Sequence, residues 1–159
     1  RLHGDELDFG LMLGSFGIGS ILAALVIARL RRHFGVETVL SGGTLLFAAA
    51  LSWLALASDV PHALPATLLA GMAWVTTLTS INVAMQMRSP DEILGRCLSI
   101  YQAVTFGAMA VGSWVWGLVS DLHSLPVALN AASIFLLVTL LFSRLFVPMP
   151  RPDEGRVNA

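Results

Sequence analysis

The sequence predicts an all-α integral membrane bundle of five transmembrane helices. Apolar residues make up 56% of the 159 positions and charged residues 12%, roughly half the charge of a soluble domain. Five uncharged runs recur along the chain, each of about 20 residues and so long enough to cross a hydrocarbon core as a helix. The breaks between the runs are short and rich in Arg, Pro, Gly and Asp. Backbone groups inside lipid must find partners within their own segment, so helix is the form each run takes.

The helices are expected over about 9–32, 36–58, 63–88, 91–120 and 124–147, with a tail at 148–159. The first ends on Arg31-Arg32-His33-Phe34-Gly35, cations followed by a glycine, a helix-stop pattern. At 100° per residue Gly10, Gly14 and Gly17 share a face with Ile21, Ala24 and Ala28. Such a stripe of small residues either seats another helix at close range or serves as a moving surface. Gly42 and Gly43 give the second helix, otherwise nearly all apolar, the same reading. Asp59-Val60-Pro61-His62 separates it from the third.

The third helix carries the polar content. Thr79, Asn82 and Gln86 lie close together around its axis, with Thr76 adjacent. Polar groups in lipid are unfavourable unless they face protein or water. The row is therefore either an interhelical hydrogen-bonding seam or the wall of a substrate cavity. Ser89-Pro90-Asp91-Glu92 opens the fourth helix, with Ser89 as N-cap, Pro90 in the first turn and acids beside the positive dipole end. Gln102, Thr105 and Ser113 fall on one narrow face with Met109, Trp116 and Ser120, a mixed surface able to hold an amphipathic organic molecule or simply to pack. Gly112, which shares no face with Gly107 and Gly117, marks either flexibility or a local close helix approach. The fifth helix is apolar all round and reads, like the second, as peripheral and lipid-facing.

Orientation follows from arginine, since the chain has no lysine. Eight of the nine arginines fall at the helix ends flanking the first and third connections or at and beyond the end of the fifth helix, and only Arg1 lies on the other side. The arginine-rich side is expected to be cytoplasmic, and the C-terminus with it. The start then faces outward. The first eight residues lack a signal-peptide pattern, which predicts at least one further helix upstream.

The net charge is −1 and no basic patch forms, so nucleic-acid binding is not expected. A lone Cys97 excludes an internal disulfide. There is no phosphate-binding loop, dinucleotide fingerprint, metal-ligand spacing or Ser/His/Asp set within a span, so neither enzyme chemistry, cofactor nor metal is expected. His3, His33, His62 and His123 all fall at rims.

Two stretches carry a resemblance. One is Phe16-Gly17-Ile18-Gly19-Ser20 followed by Ala28-Arg29-Leu30-Arg31-Arg32-His33-Phe34-Gly35. The other runs from Gln86-Met87-Arg88-Ser89-Pro90-Asp91 through Gly95-Arg96 to Gly112-Ser113-Trp114-Val115-Trp116-Gly117. Together they resemble the C-terminal half of major facilitator superfamily transporters, in the bacterial secretion-effector branch that contains the enterobactin exporter. The resemblance implies that the five helices correspond to helices eight to twelve of a twelve-helix fold, a fragment whose N-terminal half is the absent partner. It places eight, ten and eleven toward the centre and nine and twelve outside. The 29–35 loop resembles the family's degenerate cytoplasmic signature, but Ala28 stands where an acid is usual.

On that resemblance the chain is expected to be part of a secondary active transporter in the inner or plasma membrane, exporting small organic molecules of drug or siderophore type by proton-coupled alternating access. Its cavity wall would come from Thr76, Thr79, Asn82, Gln86, Gln102, Thr105 and Ser113. The cytoplasmic gate would come from Arg29, Arg31, Arg32, Asp91 and Arg96, whose plainer role is to fix topology. Gly10, Gly14, Gly17 and Gly112 would pack helices. The expected partners are the lipid bilayer, the N-terminal half and a small-molecule substrate. The rival expectation is a non-transporting interaction module that packs through its glycine stripe onto another membrane protein.

Overall fold

In the computed structural model, which describes residues 6–90 and 92–146, the chain forms four helices. They are α1 (Glu6–Leu56), α2 (Val60–Arg88), α3 (Leu94–Leu122) and α4 (Leu125–Phe146). Each is long and apolar enough to cross a membrane, and the protein is a multi-pass membrane protein. The tail expected at 148–159 lies outside the described residues.

Five helices were expected and four are found, because the first two join. At 51 residues α1 would measure about 76 Å if straight, more than twice the hydrocarbon thickness. It is not straight. Gly35 has φ 78° and ψ 161°, a region open essentially to glycine alone, and it divides α1 into arms 6–34 and 36–56. Contacts along α2 give the arms' directions. Ser15 meets Leu64 and Ser20 meets Gly71, so the first arm runs parallel to α2. Gly43 meets Thr76 and Thr77 while Phe47 meets Trp74, so the second arm runs antiparallel. The arms are therefore antiparallel to each other, and four elements make five passes.

The core sits along α2. Ala63, Ala66, Ala70, Ala73 and Ser80 recur at spacings of three, four and seven residues and are all buried. This row of small side chains lets both arms approach the α2 backbone. The first arm presents Gly19, Ala23 and Ile27, four residues apart and therefore on one face. The closest point is reciprocal. A Cβ on Gly19 would overlap the Leu68 carbonyl, and a Cβ on Gly71 would overlap the Phe16 carbonyl.

The expected stripe takes no part in this crossing. Around Gly10, Gly14 and Gly17 nothing lies within 4 Å of where a Cβ would stand, so within the described residues their face is open. Tight packing falls on Gly19, two residues beyond Gly17 and on another side of the helix. Gly112 likewise has open space around it rather than a close neighbour.

The second arm is fastened to α4. The Ser52 hydroxyl donates to Ser133 Oγ at 2.9 Å, and the buried Ser133 donates to the Ala48 carbonyl at 2.9 Å. At the Gly35 end Arg144 donates to Ser41 Oγ from Nε at 3.1 Å and from Nη2 at 2.8 Å. Its Nη1 lies 3.4 Å from Glu37 Oε1. By contrast α3 buries no residue, and its edge-on contact of Trp116 with Phe135 leads to α4. It touches α2 only slightly.

Ser89 is not the N-cap of the following helix. It closes α2, its N–H bonded to the Met85 carbonyl at 3.1 Å. A turn follows, with the Ile93 N–H on the Pro90 carbonyl, and α3 begins at Leu94. Proline disfavours helical backbone in the residue before it, which makes Ser89 a stop rather than a start.

Candidate functional site

The polar row of α2 is satisfied mostly by its own helix. Thr79 Oγ1 donates to the Val75 carbonyl at 2.6 Å, and Asn82 Nδ2 donates to the Leu78 carbonyl at 2.9 Å. Thr76 is half-buried, with its methyl against Gly43. Gln86 is exposed near the Arg-rich end. Bonding to the carbonyl one turn back lowers the cost of holding a hydroxyl or amide in lipid without engaging another helix. The interhelical seam that the row suggested is thus elsewhere, at Ser15, Ser20, Ser52 and Ser133.

The row of α3 divides. Gln102 and Ser113 are exposed, and the Ser113 hydroxyl donates to the Ala110 carbonyl at 2.9 Å. Thr105 is half-buried. Trp116 and Ser120 turn instead toward α4. There, with Gly112, Phe47, Leu51 and Phe135, they wall an apolar cavity of about 620 Å³. The α2 and α3 rows are not brought into mutual contact within the described residues, because the two helices barely meet.

Trp74 of α2 packs on Phe47 with ring centroids 6.0 Å apart. Two hydroxyls on α2, Thr77 Oγ1 and Ser80 Oγ, are buried without a hydrogen-bond partner.

At the Arg-rich end Arg29, Arg32 and Arg96 are exposed and Arg31 is half-buried. None of the four makes an ion pair among the described residues. Asp91, the acid expected to face them, lies outside the described residues. The ion pair formed at this end is the one between Arg144 and Glu37, which sequence reasoning missed. A signal for it existed. Arg144 ends an otherwise apolar helix, and Glu37 is the acid just after the first turn. Antiparallel neighbours bring such positions together.

A family profile described as "Transmembrane secretion effector" matches residues 1–158. No curated protein matches the chain.

Proposed function

Because the chain belongs to the transmembrane secretion effector family of major facilitator transporters, we propose that it forms the C-terminal part of a secondary active exporter of small organic molecules. The family is one of transporters, not enzymes. In this reading substrate passes between α2 and α3, against Thr76, Thr79, Asn82 and Gln86 on one side and Gln102, Thr105 and Ser113 on the other. The observation that carries it is the sparse contact between these two helices, both of which bear polar rows at membrane depth.

An N-terminal half covers these two helices from the far side, and the two halves rock about a midplane site. Transport is coupled to protons. The runs at membrane depth in the described helices hold no carboxylate, so the acid that carries the proton belongs to that other half. Arg29, Arg31, Arg32 and Arg96 stand at the cytoplasmic gate with Asp91, in the inner or plasma membrane, and the C-terminus is cytoplasmic.

The test substitutes Asn82→Ala and Gln102→Ala in the complete transporter and measures efflux across a panel of drugs and siderophores. A changed substrate range at unchanged membrane abundance supports the site. Unchanged transport of every compound removes both residues from it. A native gene product in membranes no longer than this chain would end the two-half reading.

A further inference from the structure

We propose that the groove between the two arms of α1 is a binding site for one anionic phospholipid, with an acyl chain in the groove and the phosphate on Arg31 and its neighbours. The reading stands on the groove and its charges and does not depend on the transport proposal.

The groove exists because of the bend. Gly35 turns the chain back, so the two arms lie side by side over α2. Ala23, Ile27 and Leu30 line one wall, Val39 and Gly43 the other, and Met72 of α2 lies at the base. The space is about 440 Å³. Gly42 and Gly43 leave the second arm without side chains there, and a Cβ at Gly42 would meet nothing within 4 Å. The groove is open outward, since Val26, Leu30 and Phe34 along it are substantially exposed.

One end of this apolar space is strongly cationic. Arg29, Arg31, Arg32 and His33 occupy the last turn before Gly35. Arg31 continues the row of Ala23 and Ile27, one turn further on, and so lies on the groove face. Its Nη1 is buried and has no hydrogen-bond partner. Glu37, the acid just past the bend, is paired with Arg144 of α4 and leaves Arg31 unneutralised.

Arg31 is not in the groove lining but stands next to Leu30, which is, and an apolar slot with an unpaired guanidinium beside it matches an amphiphile with an anionic head. Guanidinium groups bind phosphate through a planar fork of donors. Basic pockets between membrane helices on the cytoplasmic side suit anionic headgroups. A free anion would leave the groove unused, and an uncharged amphiphile would leave Arg31 unpaired.

The experiment uses the complete protein, delipidated in detergent and offered phosphatidylglycerol or phosphatidylcholine with identical chains, with bound lipid read by native mass spectrometry. Phosphatidylglycerol should be retained over phosphatidylcholine by about fivefold or more, the effect of roughly one basic contact. Arg31→Gln should bring that ratio close to one. Gly42→Leu puts side-chain bulk into the groove, from a position where a Cβ meets nothing within 4 Å, and should lower retention of both lipids while the melting temperature is maintained. Equal retention of the two lipids by the wild type would overturn the proposal. So would a preference untouched by Arg31→Gln, or a Gly42→Leu protein that binds both lipids as before, which would mean that the groove holds a protein segment or nothing.

Discussion

Adding one methyl group at Gly19 should damage this protein, and adding one at Gly17 should not. The two glycines lie two residues apart on the same arm. At Gly19 the new Cβ would overlap the Leu68 carbonyl oxygen, with the carbonyl carbon at 2.9 Å and Cα at 3.2 Å. These are backbone atoms and cannot rotate away, so the helices must separate. Overpacking of this kind costs about 1–3 kcal/mol. Separation also strains the bonds that cross the same seam, from Ser15 to the Leu64 carbonyl at 2.7 Å and from Ser20 to the Gly71 carbonyl at 3.3 Å. Such bonds average about 0.6 kcal/mol each in membrane proteins. Gly19→Ala should therefore cost about 2–4 kcal/mol in total. At Gly17 the Cβ meets nothing. There alanine removes a flexible residue from a helix and should be neutral or stabilising by up to about 1 kcal/mol. SDS-titrated unfolding in mixed micelles, followed by tryptophan fluorescence, measures both. A Gly19→Ala protein within about 0.5 kcal/mol of wild type, the usual range of uncoupled surface changes, would refute the close crossing.

Three further outcomes are expected. Gly35→Ala forces a side chain into a backbone region open to glycine, and should destabilise by about 1–3 kcal/mol in the same unfolding assay, independently of the Gly19 effect. Ser133→Ala removes the hydroxyl that receives a bond from Ser52 and donates one to Ala48, so it should cost about 1 kcal/mol. The Ser52→Ala, Ser133→Ala double variant should then show a positive coupling between the two sites. Ser80 is buried with its hydroxyl unpartnered, so Ser80→Ala should leave stability unchanged or raise it by about 1 kcal/mol. A loss at Ser80 would place a hydrogen-bonded water beside it.

Membrane class and helical content were legible because lipid imposes them on composition and on run length alone. The five passes were legible for the same reason. Their joining at Gly35 was not, since a glycine after two arginines reads equally as a stop and as a bend. Packing was harder to read. The Gly10, Gly14 and Gly17 stripe is conspicuous, yet the working face of that arm combines Gly19 with Ala23 and Ile27. Helix periodicity names faces without saying which one is covered. On α2 the buried row is mostly alanine, which hydrophobic patterning hardly distinguishes from its neighbours. The polar residues Thr79 and Asn82 stood out, but their bonds turned back to their own helix. Single serines such as Ser133, lost in an apolar run, carried the links between helices. Those links depend on which positions face one another, information that resides in pairs of segments.

The lack of buried residues on α3 has a thermodynamic consequence. A helix that has little contact area to lose can take several positions of nearly equal free energy. The other passes are joined by close backbone crossings and hydroxyl links. A ligand that favours one position of α3 by 1.4 kcal/mol shifts its population balance about tenfold. Of the described helices, α3 is therefore the one that a ligand of small differential affinity repositions most readily.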